Sequence, residues 1–193
     1  AIAAQADAQS SSGRESIVLA GGCFWGMEAV FGALEGVASA VPGYAGGGAA
    51  TARYEIVSTG MTGHAEAVEV HYDPARISLR TILKIYFSIA HDPTQLNRQG
   101  PDTGKQYRST IFFRNEEQKR TASAYIRELA EARAYQAPIV TTLEPLVAFF
   151  PAEEYHRDYV ARHPADPYVA FNDLPKLRAL RARYPELVRS AAK

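Results

Sequence analysis

Cysteine is almost missing from this chain: one residue, Cys23, among 193. A lone cysteine cannot close an internal disulfide, so packing has to hold the fold together. An excess of either charge is missing as well. Lysine and arginine total 21, aspartate and glutamate total 21, and the formal net charge is zero. Without a basic surplus there is little to neutralise a phosphate backbone, which argues against nucleic acid as a partner. No apolar run approaches the ~18 residues that a membrane helix requires. Internal repeats are absent too. What the chain does have is 47% hydrophobic residues, enough for a compact domain with its own core, and a length within the roughly 100–200 residues usual for one domain.

The first fifteen residues, "AIAAQADAQSSSGRE", offer almost no large apolar groups. They cannot bury enough surface to order themselves and read as a flexible leader, leaving residues 16–193 as a single catalytic domain. Small residues near a start are what signal-peptide removal leaves, which points to the periplasm. A plain disordered leader points equally to the cytoplasm, and both remain open.

From Ser16, "SIVLA" is a β-branched run that stops at Gly21-Gly22, the pattern of a buried strand and a turn. "CFWGMEAVFGALEG" then spaces Phe24, Met27, Val30, Phe31 and Leu34 as one helical face, with Gly36 as its stop. "VASAVPGYAGGG" begins as a strand and dissolves into glycine, and Ala49 to Gly63 reads as a long surface loop. "HAEAVEVHYDP" alternates, with Glu66, Val68, Val70 and Tyr72 on one side and Ala65, Ala67, Glu69 and His71 on the other. Ser78 caps an amphipathic helix, a loop runs from His91 to Gln106, "YRSTIFFR" is a strand, and Asn115 caps a helix to about Ala134. "IVTTLEPLV" returns as a strand, and the rest is helical or irregular. That order predicts an α+β fold, a ferredoxin-like two-layer sandwich on a mainly antiparallel sheet, with an irregular or helical C-terminal extension.

The stretch "GGCFWG" sets the only cysteine and the only tryptophan side by side. A thiol after a strand and two glycines, at the start of a helix, sits where unpaired N–H groups lower its pKa from ~8.5. The glycines leave the approach to sulfur clear of side chains. Against this stands the ordinary alternative that Cys23 is a small buried hydrophobe. Adjacent helical residues diverge by about 100°, so Phe24 and Trp25 cannot both enter the core, and one of them walls the thiol. Glu66 starts a strand on its apolar side, where burial would keep it protonated and make it a general acid; a half-exposed strand glutamate is the alternative. His64 and His71 lack the spacing of a metal site, and His156 and His163 read as surface or packing residues. "AGGGAATA" has no Gly-Lys-Ser/Thr and is no phosphate loop.

Taken together, these pieces resemble peptide methionine sulfoxide reductase of the A type. The matching motifs are "GCFWG", "GYAGG", "TGHAEAV", "YDP", "HDPTQLNRQGPD", "DTGKQYRS" and "AEEYHRDY", in order from about Ser16 to Phe171. The resemblance implies Cys23 as nucleophile, Glu66 as acid, Tyr54 and Tyr107 as donors to the sulfoxide oxygen, and Asp102 orienting the polar end. Phe24 and Trp25 would hold the methyl. It implies no cofactor, action on the S epimer of methionine sulfoxide, a monomer, and a sulfenic acid on Cys23. Many relatives carry further cysteines near the C-terminus; this chain has none. An external thiol must then regenerate the enzyme, with thioredoxin, glutaredoxin and glutathione all candidates. Two rivals remain at this point: a one-cysteine peroxidase, and a non-catalytic binder of methionine-rich peptides.

Overall fold

The computed structural model describes residues 13–190, and most of the expected leader lies outside them. The first strand, β1, runs Glu15–Ala20, so Glu15 already pairs with the sheet. Helix α1 covers Phe24–Gly32, strand β2 Val37–Ala45, and a four-residue helix α2 spans Tyr54–Val57. Strand β3 follows at Ala65–Tyr72 and helix α3 at Leu79–Ile85, continued by a π turn over Tyr86–Ala90. A two-stranded hairpin comes next, β4 Arg98–Gln99 with β5 Asp102–Thr103. Then come β6 Thr110–Phe113, α4 Glu116–Glu131, β7 Thr142–Pro145 and β8 Phe149–Pro151. Short helix α5 is Tyr159–Arg162 and helix α6 is Leu174–Arg183. Among the described residues no helix is long and apolar enough to cross a membrane.

The main sheet has the order β7-β6-β1-β3-β2-β8. Its inner pairings are antiparallel, but β7 runs parallel to β6, so the sheet is mixed and the fold is α+β. A parallel neighbour needs a crossover, and α4 supplies it. The expected alternation along β3 is real but conceals more than it suggests. Val68, Val70 and Tyr72 join the main core with α1 and α3, while Ala65 and Ala67 join a second cluster with Val18, Ala20 and Phe112. A strand in mid-sheet is covered on both faces, which is why small alanines stand on the side where room is short.

Local chemistry explains the helices. All five residues expected on the inner face of α1, from Phe24 to Leu34, are buried, though the helix ends at Gly32 and Gly36 lies in the turn beyond, with φ +91°. Ser78 Oγ accepts the Thr81 N–H at 3.1 Å, and Asn115 Oδ1 accepts that of Gln118 at 2.9 Å. The long α4 stops at Glu131, short of Ala134. Between β2 and β3 the expected loop holds α2, and Tyr54 is its first residue. After β8 the chain turns back across α1, and α5 and α6 both pack against that helix.

Candidate active site

Gly21 and Gly22 carry the chain from β1 to α1, and both are buried. A Cβ on Gly21 would lie 2.7 Å from the His91 ring, and one on Gly22 would lie 2.6 Å from the Gln99 side chain. Gly22 also holds φ +99°, open to few residues but glycine. The glycines therefore make room for the loop after α3, and not for a ligand approaching sulfur. That loop is itself pinned: His91 meets the Tyr86 carbonyl and Ser109 Oγ, each at 2.8 Å, and the Tyr86 hydroxyl donates to the Ala20 carbonyl at 2.7 Å. The turn that aims the thiol is thus built from residues far away in sequence.

Cys23 occupies the position just before α1 and remains half-buried. The helix start was expected to ionise it, and the site does the reverse. Burial raises its pKa well above the usual thiol value, the Glu66 carboxyl raises it further, and Asp173 and Asp102 add to this. The Trp25 N–H pulls it down but is outweighed. One N–H cannot match desolvation plus three carboxyl groups. The resting sulfur is a neutral thiol.

Glu66 lies under the same helix start, 2% exposed, with Oε1 accepting the Phe24 N–H at 3.2 Å. Burial pushes its pKa up to about 8, the Phe24 N–H works against this, and Asp102 adds to it. It holds a proton at neutral pH. The expected apolar burial of Glu66 is met. Tyr54, from α2, and Tyr107, from a turn at Lys105–Tyr107, are both half-buried, and the same two groups, Glu66 and Cys23, act on each. Burial first and Glu66 second push the Tyr54 hydroxyl up to about 12 and raise that of Tyr107 further. Both phenols stay protonated and able to donate. Asp102, on β5, also acts on Cys23, Glu66 and Tyr107, and accepts a hydrogen bond from the Tyr168 hydroxyl. Five residues spread over 85 positions of sequence thus converge.

The two aromatics part company. Phe24 is fully buried, its ring 5.7 Å from Tyr44 and 4.9 Å from His156. Trp25 is half-buried, stacked on Tyr159 at 3.7 Å with Tyr168 edge-on at 5.7 Å. Of the two, Trp25 is thus partly accessible and Phe24 is not.

Sequence reasoning left open or passed over several residues of this neighbourhood. Of the two readings left for His156, surface or packing, the second holds: it is 0% exposed, and its Nδ1 accepts the Trp25 indole N–H at 2.9 Å. Burial holds its pKa below the usual value, so it is neutral and fixes the indole. Glu153 accepts from the Tyr44 hydroxyl at 2.8 Å and the Tyr54 N–H at 3.0 Å, anchoring α2. Burial pushes its carboxyl up, but these bonds prevail and hold it below the usual range. The motif "AEEYHRDY" contained both residues, yet nothing in their spacing gave a role. Asp173, buried against Gly26, carried no signal at all. His64, also buried, accepts the Gly47 N–H at 3.2 Å on Nδ1 and meets the Gly48 carbonyl at 2.8 Å, so it braces the glycine loop. Among the described residues no group of three His, Cys, Asp or Glu could hold a metal ion.

Comparison with known proteins identifies the family. The family described as peptide methionine sulfoxide reductase matches residues 15–187. A peptide methionine sulfoxide reductase MsrA 2 of Mesorhizobium japonicum is 51% identical over 181 residues, covering 94% of this chain and 93% of its own. Among solved structures, reduced Mxr1 of Saccharomyces cerevisiae is similar with a TM-score of 0.73 and 34% identity, over 79% of this chain and 87% of that one. Mxr1 in complex with Trx2 is similar with a TM-score of 0.54 and 26% identity, over 76% of this chain and 85% of that one. On this evidence the chain belongs to the peptide methionine sulfoxide reductase family, the enzymes that return oxidised methionine to methionine.

Proposed function

We propose that Cys23 removes oxygen from (S)-methionine sulfoxide, free or within proteins, with Glu66 as the proton donor. Reduction of methionine sulfoxide is the activity of the family; the roles of single residues rest on geometry. A single observation carries them: a carboxyl that burial keeps protonated near neutrality acts electrostatically on the only thiol and on two phenols. Cys23 sulfur attacks the sulfoxide sulfur while Glu66 gives its proton to the sulfoxide oxygen. The thiol proton then restores Glu66, the hydroxyl passes from the substrate sulfur to the Cys23 sulfur as the new sulfur–sulfur bond breaks, and methionine departs with that bond's electron pair, leaving Cys23 as a sulfenic acid. The charge-separated state exists only during attack, where Tyr54 and Tyr107 donate to the developing oxyanion. Asp102, held by Tyr168, orients the polar end.

Trp25 walls the methyl, with Phe24 as floor. Exchanging methyl and oxygen would set an apolar group against the phenols and leave polar groups unpaired, which is the basis for choosing the S epimer. A second thiol within the chain is excluded, since the sequence holds only one cysteine. An external thiol therefore attacks the sulfenic sulfur and a further thiol releases Cys23. Thioredoxin is the reductant that the Mxr1–Trx2 complex favours. A peroxidase reading loses ground, because the family model and the curated relatives are methionine sulfoxide reductases. As for architecture, we read β6-β1-β3-β2 with α1, α3 and α4 as a ferredoxin-like sandwich, supported by the strand order, with β7 and β8 as added edges.

The decisive assay is dithiothreitol-driven reduction of N-acetyl methionine sulfoxide. Cys23→Ser should reduce turnover to background, and one equivalent of sulfoxide without reductant should add one oxygen to Cys23 by mass. Turnover that survives the substitution excludes the mechanism.

A further inference from the structure

A π turn over Val169–Asp173 leads into α6, and its last residue sets a carboxyl on the first turn of α1. The carboxyl carbon of Asp173 stands 3.2 Å from where a Cβ on Gly26 would be, and Lys176 Nζ stands 3.4 Å from the same point. A helical Cβ tilts toward the N-terminus, so both groups lie toward the Cys23 end of the helix. Cys23 precedes that same turn, and the Trp25 N–H meets its sulfur. Asp173 is 1% exposed, and among the described residues neither of its oxygens makes a hydrogen bond, not even to Lys176. A carboxyl so placed costs stability and returns no bond. What it supplies is charge, where little water screens it. Burial pushes Asp173 up to about 6 against the pull of Lys176, with Asp102 and Asp166 adding to the rise. At pH 7 Glu66, lifted to about 8, holds its proton while Asp173 has released its own. Asp102 acts on the thiol as well, and the phenols of Tyr54, Tyr107, Tyr159 and Tyr168 feel it.

We propose that Asp173 is a positioning residue that acts through charge: its carboxylate, seated on the first turn of α1, opposes thiolate formation at Cys23 and so shields the lone sulfur from peroxide. This rests on the reading of Cys23 as the nucleophile. Peroxide oxidises a thiolate directly: sulfur attacks one oxygen, an S–O bond forms as the O–O bond breaks, and hydroxide leaves. A neutral thiol resists, because its proton must go first. Sulfoxide reduction escapes the same restraint, since Glu66 protonates the oxygen only once substrate is in place. The chain has use for such a shield. No second cysteine can capture a sulfenic acid that forms without substrate. Asp173 also meets the helix end whose dipole would otherwise favour the thiolate.

Full-length reduced protein, with no sulfoxide present, is treated with methyl methanethiosulfonate, a small neutral reagent. The thiolate attacks its sulfenyl sulfur, a disulfide forms and methanesulfinate leaves. Modification of Cys23 is followed by mass from pH 5 to pH 8. Asp173→Asn is nearly isosteric and breaks no hydrogen bond. It should react roughly threefold or more faster than wild type at pH 8. The ratio should fall toward one at pH 5, where wild-type Asp173 is itself protonated. Hydrogen peroxide should likewise oxidise Cys23 faster in the variant at pH 8. Lys176→Met leaves Asp173 in place without its cation and should slow both reactions. Equal rates of Asp173→Asn and wild type at pH 8, with either reagent, overturn the proposal. So does a ratio that stays constant from pH 5 to pH 8, which would mean a more open site and not a removed charge. Should Asp173→Asn fail to fold, Lys176→Met decides, and a rate unchanged or raised at pH 8 overturns the proposal. Failure of the wild type to reduce sulfoxide would sink the reading of Cys23 and leave these rates untouched.

Discussion

Two carboxyl groups are buried at the same helix, Glu66 beneath its start and Glu28 within it, and only the first acts on the thiol. Burial lifts both, Glu66 to about 8 and Glu28 to about 7. Each accepts one backbone N–H, from Phe24 and from Asp158 respectively. What differs is the company. Glu66 acts on Cys23, Tyr54 and Tyr107, whereas Glu28 answers to Asp158 and Arg157 and not to the thiol. A raised pKa therefore marks a desolvated carboxyl and not by itself a catalytic acid; the reacting group opposite it decides.

The comparison breaks most visibly on rate. Glu66→Gln should slow sulfoxide reduction by roughly 10²–10⁴-fold, the range of general acid catalysis, in single-turnover experiments. For the wild type the rate should fall as pH rises through about 8, because the donor must be protonated. Gln cannot ionise, so that limb should vanish in the variant. A limb that persists would assign the proton to another group.

Stability sharpens the comparison on a second axis. A folded pKa above the unfolded value means that the native carboxyl still holds a proton which the unfolded one has released. Stability is therefore fully present below about 4.5 and declines as pH rises to about 8 for Glu66 and about 7 for Glu28. Glu66→Gln removes this decline. Its urea midpoint relative to wild type should climb between pH 5 and pH 8, by the equivalent of ~2–4 kcal/mol. Glu28→Gln should gain less and stop gaining sooner. Equal gains would mean that the two sites are equally desolvated in solution.

The smallest effect concerns the turn that positions the thiol. Gly22→Ala adds a Cβ at φ +99° against Gln99. We expect a loss of ~1–3 kcal/mol in thermal or urea unfolding, with activity falling more than Gly48→Ala, where a Cβ meets open space. A neutral Gly22→Ala would show that the loop after α3 is not packed as described.

Much of the site was legible because its parts are short and local. "GGCFWG" placed Cys23 before a helix, and the period of two in "HAEAVEV" set Glu66 on the apolar side with Val68 and Val70. The roles of Tyr54, Tyr107 and Asp102 came from resemblance, since nothing local separates them from the other tyrosines and aspartates. His156 and Glu153 escaped because their meaning lies in partners 131 and 99 residues away. The charge state of Cys23 was misread for the same kind of reason. The helix start is visible in the sequence, but the desolvation that outweighs it is not.

The sequence by itself determined that one thiol must act without a second, that Phe24, Met27, Val30, Phe31 and Leu34 form a single buried face, and that Glu66 shares a strand side with Val68, Val70 and Tyr72. Spacing and composition suffice for these, because they are properties of one helix, one strand and one count. Tertiary structure alone decided that the thiol rests neutral, that the glycines yield space to His91 and Gln99, and that Trp25 rather than Phe24 faces outward. Each of these is set by which distant atoms exclude water or occupy space, and a pKa or a packing contact depends on that sum, not on the residue's neighbours in the chain.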